Sequence, residues 1–178
     1  MKQTLLLTAL LAALFGRPEA GAADRPKDFA LDRLDGQGTI KLSDHAGTIV
    51  VLDFFAYWCQ PCARSSPVVE ERIQRFYASK KGNPQGHPVQ VISINVEPND
   101  TKRTRAFVEK HGLNLVLNDK EGSTLKSFGG EGLPYFVVLD GTQGTPEAPS
   151  FKVVYARAGF EGVDKLRSII DRLGTKRP

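Results

Sequence analysis

Sulfur is scarce in this chain: two cysteines and one methionine, Met1, in 178 residues. Cys59 and Cys62 are the single possible pair, so a multi-disulfide scaffold is ruled out and the chain must be held by an ordinary hydrophobic core. A structural zinc site needs four ligands, yet His45, His87 and His111 stand singly, without ligand spacing. No metal or other cofactor is expected. Charge of one sign is also lacking, with 24 basic against 20 acidic side chains and a formal net charge of +4. The small basic groups Lys102-Arg103-Arg105 and Lys176-Arg177 have no aromatic residues interleaved, so they read as solvated helix face and tail rather than a nucleic-acid surface. At 40% hydrophobic and 25% charged residues, one globular domain with a sizeable core is expected.

The first residues differ from the rest. Lys2 gives a positive start, Leu5 to Phe15 is an apolar run, and Ala20-Gly21-Ala22 offers a small-x-small cleavage site before Ala23. This pattern predicts a secretory signal peptide over residues 1–22 and a domain over 23–178. The apolar run falls well short of the roughly 20 residues that cross a bilayer, which disfavours a permanent anchor. No cysteine lies near residue 20, so lipid attachment at a cysteine there is excluded. Residues 1–22 hold Lys2, Arg17 and Glu19, so without them the formal charge is +3. Export combined with one vicinal thiol pair points to a periplasm or another extracytoplasmic space, where disulfides persist.

The chemistry sits in Phe54-Phe55-Ala56-Tyr57-Trp58-Cys59-Gln60-Pro61-Cys62, directly after the apolar run Ile49-Val50-Val51-Leu52. A strand feeding a Cys-x-x-Cys that opens a helix puts one thiol at the helix N-terminus, where partial positive charge favours thiolate, and the other one turn inside. Such a pair is a reversible dithiol switch. A static structural disulfide is the weaker reading, because closing a two-residue loop restrains the unfolded chain very little.

Around this motif the pattern alternates. Asp35-Gly36-Gln37-Gly38 reads as a hairpin turn before a short edge element at Thr39 to Leu42, and the β-branched run Thr48 to Phe55 reads as a central strand buried on both faces. A helix from about Cys59 to Lys80 carries an apolar stripe at Val68, Val69, Ile73, Phe76 and Tyr77, with a bend expected at Pro67. The turn-prone stretch Gly82 to Pro88 leads to a strand over Val89 to Ile94. Asn99 or Asp100 can cap a helix that stops at Gly112, ahead of a short strand over Leu113 to Leu117. A short helix at Ser123 to Phe128, strands at Tyr135 to Leu139 and Val153 to Ala158, and an amphipathic helix through Leu173 complete the chain. The glycines of Gly129 to Gly132 lead into a strand and lack the Lys-Ser/Thr of a P-loop, so they read as a loop. The fold class is α/β, a mixed sheet covered by helices on both faces.

These residues resemble a known family. Asp53 to Cys62 is similar to the thioredoxin active-site strand and loop, and Gly132-Leu133-Pro134 before a strand resembles the cis-proline loop of that fold. The N-terminal hairpin, Leu42-Ser43-Asp44 before Gly47, and the extra helix and strand before Pro134 most resemble the TlpA/ResA-type exported thiol-disulfide oxidoreductases, over about Pro26 to Leu173. There is one departure: where that family commonly has Glu three residues after the second cysteine, this chain has Ser65, and where it usually has Asn on the strand, this chain has Asp53, as thioredoxin does.

The resemblance implies a thioredoxin fold with an N-terminal β extension and an inserted helix and strand. It also implies a protein-disulfide reductase, acting as a monomer on client proteins and recharged by a membrane-embedded electron donor. Candidate clients are apocytochromes c, through their Cys-x-x-Cys haem-attachment motif, and copper-delivery proteins. Cys59 is the expected nucleophile and Cys62 the resolving thiol, while Asp53, if buried, has the raised pKa that suits a base for Cys62. The competing reading is an exposed strand Asp. Trp58, Leu133 and a cis Pro134 would present a surface to which an extended client segment pairs. Gln60 and Pro61, between the sulfurs, would tune the reduction potential. Two other functions fit less well. A thiol peroxidase would carry Thr or Ser three residues before its cysteine, where Ala56 stands. A Cu(I) metallochaperone could use the two thiols, but no Met-rich segment or placed histidine accompanies them.

Overall fold

The run Ile49–Phe55 forms a strand in which all seven residues are buried, and the rest of the chain is arranged around it. A computed structural model describes residues 25–175 apart from position 98, so the leader-like residues 1–22 lie outside the described residues. The strands are β1 (Ala30–Arg33), β2 (Thr39–Lys41), β3 (Ile49–Phe55), β4 (Val89–Asn95), β5 (Val116–Asn118), β6 (Tyr135–Asp140) and β7 (Lys152–Ala158). They form one sheet in the order β2-β1-β5-β4-β3-β6-β7. β3, β4 and β5 run parallel, while β6 and β7 close one side and β1 and β2 the other with antiparallel pairings. The expected edge element at Thr39 is therefore the outermost strand, and the N-terminal hairpin is the β extension.

Parallel neighbours need crossovers, and helices supply them. β3 leads into α1 (Gln60–Val69), which continues as a π-type segment over Glu70–Arg75 and then α2 (Phe76–Lys80) before β4. α3 (Thr101–His111) connects β4 to β5; α4 (Ser123–Ser127) precedes β6 and α5 (Val163–Ile170) follows β7. Asp100 caps α3 by accepting the Arg103 N–H at 2.9 Å, and Gly112 ends it at φ 62, the left-handed conformation that glycine adopts without strain.

Strand alternation assigns β3 to two cores. Val50, Leu52 and Phe54 pack on one face with Ile92, Ile94, Leu117, Phe128 and Val137. Ile49 and Val51 pack on the other with Val69, Ile73, Tyr77, Val138, Leu166 and Ile170, so α1, α2 and α5 cover that face. Each such side chain contributes about 1.5–3 kcal/mol by leaving water, which fixes the register of the strand firmly.

The long first helix keeps Pro67 inside α1 and is interrupted by the π-type segment that begins three residues after it. Two details depart from the sequence reading. Val68 lies outside the apolar stripe and is 36% exposed, because the inward row is Cys62, Ser66, Val69, Ile73 and Tyr77. Strand β5 starts at Val116, not Leu113, since its bounds are set by pairing with Arg33 and Asp32 on one side and Ser93 to Asn95 on the other. The uncovered start of β4 is completed by Gln74, whose side-chain oxygen accepts the Val91 N–H at 2.6 Å.

Candidate active site

β3 delivers the chain at Ala56, and the turn Tyr57-Trp58 brings it to Cys59, the N-cap of α1. Cys59 and Cys62 are joined as a disulfide with their Cα atoms 5.2 Å apart. The Cys59 Sγ accepts the Cys62 backbone N–H at 3.2 Å, so the cap interaction is made by the sulfur itself. A thiolate at this position meets both a free amide and the positive end of a ten-residue helix. Cys59 is 4% exposed and Cys62 fully buried, an asymmetry in the expected direction. Both pack with Phe55, Ala56, Phe107, Leu113 and Val116, and half-buried Leu133 closes the same cluster.

The surface beside Cys59 is aromatic. Trp58, 58% exposed, donates its indole N–H to Glu97 at 2.9 Å, and the other Glu97 oxygen accepts the Asn99 N–H at 2.8 Å. These two bonds, the indole first, hold the Glu97 carboxyl below its ordinary range. Arg103 lies 5.6 Å from the Tyr57 ring centroid. The loop after β4 and the first turn of α3 thus fix both aromatic side chains. Gln60 and Pro61 are exposed between the cysteines, Pro134 is buried, and the Leu133–Pro134 peptide is cis.

Asp53 is fully buried, on the β3 face that also carries Val51 and Phe55. Burial pushes its carboxyl from 3.8 up to about 7; the nearby Ser66 hydroxyl favours the charged form and offsets part of this, and the charge of Glu70 adds to the rise. Asp53 and Ser66 do not meet in a hydrogen bond of normal geometry. Ser65, at the position where the resembled family commonly has Glu, is buried and donates its hydroxyl to the Pro61 carbonyl at 3.2 Å. The arrangement can therefore form and break one disulfide, with a buried acid that changes protonation near neutral pH. Sequence reasoning missed Ser66, Glu70, Glu97 and Arg103. Ser66 could have been found as a polar residue one helical turn from Cys62 on an otherwise apolar helix face.

Residues 22–144 match the AhpC/TSA family. The chain is 30% identical to the thiol-disulfide oxidoreductase ResA of Geobacillus thermodenitrificans over 149 residues, 78% of this chain and 79% of that protein. It is 31% identical to the thioredoxin-like protein YneN of Bacillus subtilis over 111 residues, which span 61% of each. A crystal structure of a putative thiol:disulfide interchange protein DsbE from Chlorobium tepidum superposes with a TM-score of 0.64 at 30% identity, covering 84% of this chain and 94% of that one. With the Cys59–Cys62 pair at the head of α1, the chain belongs to the AhpC/TSA family and, within it, to the ResA-type thiol-disulfide oxidoreductases of thioredoxin fold.

Proposed function

We propose that this thiol-disulfide oxidoreductase works as a reductant of disulfides in client proteins outside the cytoplasm. The observation that carries the reading is the pairing of a vicinal dithiol at a helix N-terminus with a buried carboxyl of pKa about 7 on the strand that feeds it. In the reduced protein, the Cys59 thiolate attacks one sulfur of the client disulfide; the client's other sulfur leaves with the bonding pair and takes a proton from solvent. Cys62 then gives its proton to Asp53 and attacks the Cys59 sulfur, releasing the second client thiolate and leaving the Cys59–Cys62 disulfide. Two electrons pass from the protein to the client. A dithiol donor returns them, and the resemblance points to one embedded in the membrane.

Trp58 and the backbone at Leu133, ahead of Pro134, supply the surface against which an extended client segment lies, and Gln60 and Pro61 influence thiolate stability. Client candidates are the Cys-x-x-Cys haem-attachment segments of apocytochromes c and copper-delivery proteins. The leader-like residues 1–22 support an extracytoplasmic site of action, and no helix among the described residues is long and apolar enough to cross a membrane. A monomer suffices, since both sulfurs and Asp53 come from one chain. A peroxidase role is less favoured, because Ala56, three residues before Cys59, is buried and brings no hydroxyl to the sulfur.

The test is the Cys62→Ala variant in an extracytoplasmic extract. It should accumulate mixed disulfides through Cys59 that thiol reagents release and that contain apocytochrome or copper-protein fragments. No adduct, together with no reduction of insulin by the unsubstituted protein, would overturn the proposal.

A further inference from the structure

Buried polar atoms normally find a hydrogen-bond partner, and each one left without costs about 1–3 kcal/mol. Among the described residues five such side-chain atoms have none, and four of them lie together: both carboxyl oxygens of Asp53, the Ser66 hydroxyl and Glu70 Oε1. The fifth, His45 Nε2, lies in the turn ahead of β3.

Cys62, Ser66 and Glu70 follow at i, i+4 spacing, so they share one face of the helix, and Asp53 on β3 lies against Ser66 and Glu70. Glu70 is 3% exposed and is the first residue of the π-type segment, an irregularity that recurs at functional sites. Its second oxygen accepts the Asn114 N–H at 3.4 Å. Burial pushes its carboxyl up, while the Asn114 N–H and then the Arg75 charge hold it back and Glu71 adds a small rise. The neighbours of Asp53 within the sheet, Ser93 on β4 and Phe136 on β6, carry no charge. Glu70 is thus the charged group that acts on Asp53 from the helix packed over it.

We propose that Glu70 is a positioning residue for the exchange reaction: a second buried carboxyl whose charge, across Ser66, holds the proton on Asp53 and so sets the pH range in which Cys62 is activated. Burial is the first cause of the rise at Asp53 and the Glu70 charge adds to it, while the amide and cation beside Glu70 favour its charged form. Loss of the charge at Glu70 lets Asp53 ionise earlier. The inference rests on Asp53 being the proton acceptor of Cys62.

Trp58 is the only tryptophan and adjoins Cys59, so its emission reports the redox state. Reduced protein is mixed with oxidised glutathione in a stopped-flow instrument between pH 5 and 9, and the rate of the Cys62 step is read against pH. Glu70→Gln should move its midpoint toward acid by roughly half a unit to one unit. Glu70→Asp, which keeps the charge, should restore the wild-type midpoint. Should the Gln variant not fold, Glu70→Met, of similar length and apolar, should give the same acid shift. An unmoved midpoint in Gln or Met, or an equal shift in Asp, overturns the role of Glu70. If Asp53→Asn leaves the pH profile of the Cys62 step intact, the proton-acceptor reading itself fails, a different outcome from an Asp53 dependence that ignores Glu70.

Discussion

Replacing Asp53 by Asn should make the oxidised protein more stable at alkaline pH and leave it nearly unchanged in acid. Asp53 has a pKa of about 7 in the fold against 3.8 in an unfolded chain, because burial disfavours its charged form. The folded state therefore binds more protons than the unfolded state between these two values. Stability due to this group is complete below pH 4, falls as pH rises from 4 to 7, and stays low above 7. A displacement of about three units at 1.36 kcal/mol each amounts to about 4 kcal/mol. No discount for solvent screening applies, since the side chain is fully buried. Asn carries no charge at any pH and escapes the loss, so at pH 8 Asp53→Asn should be more stable by about 4 kcal/mol, or roughly 10 °C in Tm for a domain of this size. Urea unfolding of both proteins at pH 4, 6 and 8, with the disulfide intact, reads the effect. If the two lose stability in parallel across that range, Asp53 does not carry a raised pKa, and its fitness as a base near neutral pH goes with it.

Asn83→Ala should cost about 2–4 kcal/mol in the same assay: the buried amide donates to the Ile170 and Leu173 carbonyls at 2.8 and 3.0 Å and accepts the Gln85 and His87 N–H groups at 3.1 and 3.0 Å, tying the loop before β4 to α5. Asp100→Ala removes the cap of α3 and should cost about 1 kcal/mol, with the redox chemistry unchanged. Glu97→Ala releases the Trp58 indole, so time-resolved fluorescence anisotropy should gain a fast component while the unfolding midpoint barely moves. An unchanged anisotropy decay would mean that Glu97 does not fix the ring.

What the sequence disclosed is what depends on neighbours in the chain. The buried strand at Ile49 to Phe55, the cap and stop of α3 at Asp100 and Gly112, and the paired cysteines at a helix start all follow from local propensity and spacing, and the structure carries each of them. Asp53 could be singled out because a carboxyl in an otherwise apolar strand is costly, although only the structure separates the buried from the exposed reading. Less local features escaped. Glu70 sits among Glu71, Arg72 and Arg75 and reads as solvent face until the strand opposite it is known. The Trp58–Glu97 bond spans 39 residues and exists only because β4 lies beside β3 in parallel register. Val68 reads as inward from the sequence because any valine near an apolar stripe fits one, and the true stripe depends on which side of α1 faces the sheet.

The most direct measurement is the rate at which each cysteine of the reduced protein reacts with iodoacetamide as a function of pH, resolved by mass spectrometry. The helix N-terminus and the buried flank of the motif require Cys59 to react well below pH 8.5, the ordinary thiol midpoint, and Cys62 to lag far behind it. Equal labelling of the two sulfurs near pH 7, neither faster than free cysteine, would contradict the mechanism at its root.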